Sequence, residues 1–184
     1  VVLSTYLVLL FLFRSVVLPL KAILMNALSI IASYGALVFI FQEGHFSNVL
    51  DFEPLGFVEA SLPILMFCLL FGLSMDYEVF LLSRVREAYL ETHDNTGSVA
   101  IGLQRSGRII TGAALIVVVV TLSFVSAEIV LVKALGLGIA LAVLLDATIV
   151  RALLVPATMR LLGDANWWLP SWIARLLPKK EFDH

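Results

Sequence analysis

Residues 61–82 read SLPILMFCLLFGLSMDYEVFLL, an apolar run without a single Lys or Arg. A transmembrane helix needs about 20 mostly apolar residues, and this run supplies them. Asp76 lies inside it, in Phe71-Gly72-Leu73-Ser74-Met75-Asp76-Tyr77. A carboxylate at bilayer depth costs roughly 2.5–3.5 kcal/mol on insertion scales. Packing alone rarely retains such a residue, so Asp76 reads as an ion or proton site.

The rest of the chain extends the pattern. Its 184 residues are 61% hydrophobic and 14% charged, with a mean hydropathy of +1.04. Soluble domains sit nearer 45–50% apolar and about 25% charged. The expected fold is all-α: a polytopic membrane helix bundle of about five transmembrane helices. The spans fall at about 1–18, 22–42, 61–82, 108–126 and 131–162, followed by a cytoplasmic interfacial tail over 163–184. The net charge is −2, with no basic stripe to suggest nucleic acid. Cys68 is the one cysteine and lies inside a span. That excludes a disulfide framework and a zinc pattern. Neither metal nor cofactor is expected, and the chain does not read as an enzyme.

The connections set the orientation. Arg14, Pro19 and Lys21 mark the first one. The connection 43–60 carries Glu43, Asp51, Glu53 and Glu59 and no Lys or Arg, whereas 83–107 carries Arg84, Arg86 and Arg105. Cytoplasmic loops collect Lys and Arg, which puts 18–21, 83–107 and the C-terminus inside. Of 12 basic residues only Lys133 falls on the outer side. Val1–Phe13 covers only about 20 Å before Arg14, short of the roughly 30 Å hydrocarbon layer. The chain is therefore expected to continue a longer protein whose preceding part lies outside. Residues 83–106 read as a cytoplasmic helical hairpin. Trp167, Trp168 and Trp172 beside Arg175, Lys179 and Lys180 read as an interfacial anchor.

A second acid matches the first in depth. Asp76 follows Ser61, and Asp146 follows Leu131, by the same number of residues, so both sit about 22 Å from the outer face. Residues four apart share a helix face. Ala134, Gly138 and Ala142 lead to Asp146 as Cys68 and Gly72 lead to Asp76. Small residues let helices approach closely in lipid, so both acids are expected to face other helices along one polar seam. Tyr77 is about 100° around the helix from Asp76, so each should pair with a neighbouring helix. Asp76, Tyr77 and Asp146 form the candidate proton relay, with Gly72, Gly138 and Ala142 as supporting packing. For Asp146 a purely structural role stays open. Arg151, about 140° around from Asp146, is not expected to pair with it; headgroups or Glu78 are the expected partners. Glu78 reads as an interface residue, and Thr111-Gly112-Ala113-Ala114 as a small, polar helix start.

These residues carry a family likeness. The run Gly72–Arg84, the run Ser106-Gly107-Arg108-Ile109-Ile110-Thr111, the run Leu145–Arg151 and the run Ala165-Asn166-Trp167-Trp168-Leu169-Pro170 together resemble the MmpL-type transporters of the resistance–nodulation–division (RND) superfamily. The resemblance implies a twelve-helix exporter of two similar halves, of which this chain looks like the last five helices of the second. It implies that an Asp-Tyr pair from each half meets at the bilayer centre and relays protons, with Asp76 and Tyr77 as this half's pair. The implied partners are the lipid bilayer, the missing N-terminal half, protons and a hydrophobic or lipid cargo, with a homo-oligomer possible. The implied location is the cell (inner or plasma) membrane.

Other classes compete. Two acids at one depth can form an intramembrane aspartyl protease dyad, although Leu144-Leu145 stands before Asp146 where such proteases typically carry Gly-x-Gly. A non-transporting sterol-sensing or assembly module would share the half-fold, and a protein-export auxiliary of related architecture stays open within the transporter class.

Overall fold

The computed structural model describes residues 1–54, 56–171 and 173. It is an all-α bundle, with no strand among those residues. Its elements are α1 (Val2–Phe13), α2 (Val17–Leu37), α3 (Ser47–Leu50), α4 (Ser61–Thr92), α5 (Asn95–Leu122), α6 (Val130–Leu145) and α7 (Val155–Leu162). α2 ends in a π-helical turn, Val38–Gln42, and α6 continues into α7 through a π-helical segment, Asp146–Leu154. Four helical stretches are long and apolar enough to cross a membrane: Val17–Gln42, Ser61–Thr92, Asn95–Ser126 and Val130–Trp167. α1 is a shorter apolar helix.

The first break falls earlier than the sequence pattern suggested, at 14–16 rather than 18–21. Arg14 takes the left-handed conformation (φ 51°) and closes α1 with its N–H on Leu10 O. The Ser15 hydroxyl then accepts the amides of Val17 and Leu18, each at 3.2 Å. Pro19 sits in the first turn of α2, where a helix has unpaired N–H groups to spare. It opens a helix instead of ending one. Lys21 is consequently buried within α2 rather than placed in a loop. The Arg86 guanidinium reaches from α4 to the Leu12 carbonyl near the end of α1.

The expected helical hairpin forms, but as the prolongation of two apolar helices. α4 is about 48 Å long, well beyond the hydrocarbon layer. His93 ends it in the left-handed conformation (φ 53°), and the Asp94 carboxylate accepts the Thr96 and Gly97 amides at 3.0 and 3.1 Å to start α5. Thr111–Ala114 is therefore the middle of a helix, not its beginning. The arms close tightly: a Cβ on Gly102 would lie 2.4 Å from Val85 Cγ2 and 2.8 Å from Val85 N. Within the bundle, a Cβ on Gly138 of α6 would lie 2.8 Å from Met66 Cε of α4.

Both ends of the bundle are tied. On one side Lys133 Nζ donates to the Leu50 and Asp51 carbonyls at 2.8 and 2.7 Å, holding the end of α3. At the other, the Asn166 amide is buried and donates to Met159 O (2.6 Å) and Gly163 O (2.7 Å). Trp167 is not the lipid anchor the sequence suggested. Its ring stacks on Tyr89 with centroids 4.3 Å apart, and its indole N–H donates to Asn95 Oδ1 at 3.1 Å. Trp168 is 57% exposed, while Trp172, Arg175, Lys179 and Lys180 lie outside the described residues.

Candidate functional site

Three helical elements converge on Asp146. It opens the π-helical segment and is 7% exposed. Ser29 of α2 donates to Oδ1 at 3.2 Å, and Ser74 of α4 donates to Oδ2 at 3.0 Å. The third partner is the Arg151 guanidinium, which forms a salt bridge with Oδ2. Arg151 Nη2 also donates to Ser74 O at 2.8 Å and to Ser74 Oγ at 2.9 Å.

The Asp146–Arg151 pair overturns the α-helical geometry assumed for these positions. In an α-helix residues five apart diverge, but a π-helix bonds each residue to the one five along. That brings Asp146 and Arg151 together on one flank. Pro156 follows immediately; having no N–H, it removes an α-helical bond at the junction. A buried ion pair needs its remaining polar groups satisfied to offset desolvation. Here the two serines complete the Asp146 side.

Asp76 occupies a different environment. It is two residues beyond Ser74, about 200° around α4, and is exposed on the outside of the bundle. It lines an open groove of about 580 Å³ with Cys68, Gly72, Leu73, Val117 and Thr121. A Cβ on Gly72 would meet nothing within 4 Å. The two small-residue stripes therefore separate. Ala134–Gly138–Ala142 packs inside, as expected, whereas Cys68–Gly72–Asp76 faces out. The single polar seam does not form among these helices, because Asp146 lines a separate cavity.

Tyr77 stands between the two environments. Half-buried, it lines the Asp146 cavity together with Asn26, Ser29, Ser74 and Arg151. The Arg151 guanidinium carbon lies 4.8 Å from its ring centroid, a cation–π arrangement that fixes the ring.

The sequence pattern put Lys21 in a connection and Glu78 at an interface, and the structure corrects both. Lys21 (5% exposed) and Glu78 (1%) are both interior, and Lys21, Arg151 and Asp146 are the charges acting on Glu78. Asn26 of α2 is buried as well. Lys21 was hidden by its place in an apparent loop. Glu78 had one available signal: it lies four residues after Ser74, on the same face of α4. Among the described residues no three His, Cys, Asp or Glu side chains converge as a metal-binding group.

A polytopic α-helical membrane protein with a charged centre inside its bundle is thus defined by fold and site together. The sequence matches the MMPL family over residues 2–180, and the chain belongs to that family. It is 50% identical over 177 residues to the trehalose monomycolate exporter MmpL3 of Mycobacterium tuberculosis, covering 96% of this chain and 19% of that protein. It is 44% identical over 183 residues to the mycolic acid-containing lipids exporter MmpL11 of Mycolicibacterium smegmatis, covering 100% of this chain and 19% of that protein. The heme uptake protein MmpL11 of Mycobacterium tuberculosis is 46% identical over 178 residues, covering 97% and 18% respectively. The chain thus spans about a fifth of the length of these relatives.

Proposed function

We propose that this chain is the C-terminal membrane portion of a proton-motive-force-driven exporter of lipids or other hydrophobic compounds, with Asp76 and Tyr77 in its proton relay. One observation carries the reading: an acid deep in a spanning helix faces outward into a groove that no other helix of this unit fills. A lipid-facing carboxylate is costly, so a polar surface from the remaining four-fifths of the protein is expected to cover it. A carboxyl facing such a surface can load a proton from one side and release it to the other. Each proton crossing the field supplies about 2.3 kcal/mol per 100 mV.

Tyr77 carries a hydroxyl that can donate to a carboxylate and accept from a carboxylic acid. Arg151, held by Asp146 and Ser74, fixes the phenol ring from the interior. In this reading Asp146 positions Arg151 and is not itself the proton carrier. The relatives named for lipid export support an amphiphilic lipid cargo, and the relative named for heme uptake supplies the alternative to test. The membrane is the cell membrane, with 83–107 and the C-terminus on the cytoplasmic side.

The test uses the full-length protein in proteoliposomes under an imposed pH gradient. Asp76→Asn should abolish transport of a labelled trehalose lipid while membrane insertion stays normal. Tyr77→Phe, which removes only the hydroxyl, should impair it strongly. Undiminished transport by Asp76→Asn would overturn the relay, and no lipid transport by the unaltered protein would favour a sterol-sensing-like or protein-export module. A protease dyad is not supported, since Asp76 and Asp146 line separate cavities. Heme moving where the lipid does not would reassign the cargo.

A further inference from the structure

We infer that the cavity between Asn26 and Arg151, inside the bundle, is a binding site for a single water molecule. Four polar atoms carry the argument. Arg151 Nε and Nη1 and both side-chain amide atoms of Asn26 are buried without a hydrogen-bond partner among the described residues. Both side chains line the same cavity. Buried polar groups in folded proteins are nearly always hydrogen-bonded, to protein or to ordered water. The two residues that carry these four atoms line one cavity.

The chemistry of the walls selects the ligand. The Arg151 guanidinium repels a cation, and the Asp146 carboxylate repels an anion. The pair is balanced, so a neutral molecule is required. It must also accept from N–H groups and donate to the Asn26 carbonyl oxygen. The cavity leaves about 10 Å³ for the centre of a water-sized sphere, room for one small molecule. Water satisfies all three conditions: it takes two of the three unpartnered N–H donors on its lone pairs and gives a proton to the Asn26 carbonyl oxygen. Leu70, Leu73, Ala142 and Val143 supply apolar walls, which should retard its exchange with bulk.

Lys21 Nζ and Glu78 Oε1 are also buried without partners, but neither lines this cavity, and the site does not include them. The inference does not rest on the proton relay. It says that the interior of this unit is hydrated at one defined point, whatever the protein transports.

The full-length protein in lipid nanodiscs tests it by X-ray radiolytic labelling after rapid mixing into ¹⁸O water. A bound, slowly exchanging water should leave ¹⁶O on Leu70, Leu73 or Tyr77, while side chains exposed to bulk water take up ¹⁸O. Asn26→Leu should lose the ¹⁶O label, and Asn26→Ser, which keeps a hydroxyl and adds space, should retain it. If Asn26→Leu does not fold, a high-resolution map of the native protein decides, with a density peak expected between the Asn26 amide and the Arg151 guanidinium. Only ¹⁸O at those side chains, an unchanged label in Asn26→Leu, or a featureless cavity in the map would overturn the site.

Discussion

Asp76 and Asp146 follow the starts of their apolar runs by the same number of residues yet meet different surroundings, and each is defined by what lies beside it. Asp146 has three polar partners, and the loss of its charge would strand Arg151. Removing one member of a buried ion pair costs about 3–5 kcal/mol, whereas replacing both with apolar groups of similar size is often neutral or better. Asp146→Asn should therefore lower the thermal unfolding midpoint of the purified protein clearly, and adding Arg151→Met should recover much of that loss. A double variant less stable than Asp146→Asn would show that Arg151 contributes through groups other than Asp146. Asp76 and Tyr77 were legible as polar exceptions in an apolar run. The Asp146–Arg151 pair was not, because a 100° rotation per residue separates positions five apart, and nothing in Asp146–Leu154 announces the wider winding.

At the level of elements, the order of helices was legible from apolar run lengths, and their ends were less so. Capping chemistry decides ends: Ser15 and Pro19 begin α2 where proline suggested a stop, and Asp94 begins α5 well before its apolar stretch. The α4–α5 hairpin turns on one close approach. Gly102→Ala would press a methyl onto the Val85 backbone, and overpacking of this kind costs about 1–3 kcal/mol. Gly107→Ala lies in the same helix with nothing within 4 Å, so it should be neutral or gain up to about 1 kcal/mol in helix propensity. Thermal unfolding of the two variants side by side checks the contrast; equal behaviour would mean that the hairpin arms can part without loss.

For the molecule as a whole, the outward face of α4 is the unfinished part. Cys68 lies on it, about two turns from Asp76 and in the same groove. Within the full-length protein we expect this thiol to be shielded, so a membrane-permeant maleimide should label it slowly in the native protein and readily after denaturation. Rapid native labelling would mean that the Asp76 face stays open and that the carboxylate is hydrated from outside. The sequence pattern could not foresee which small-residue stripe packs within this unit, because both stripes obey the same spacing and only the tertiary arrangement tells them apart.

The end of the bundle where the elbow after α1 lies carries a mechanical implication. The Ser15 hydroxyl donates to the Asn166 carbonyl at 2.5 Å, across 151 positions of sequence, and the Val16 amide donates to Trp168 O at 3.2 Å. The elbow after α1 is thereby lashed to the stretch that follows the last helix, joining two distant parts of the sequence at one end of the bundle. Any swing of α1 must tug on that knot, and through Asn166 and Trp167 on the tip of the hairpin as well.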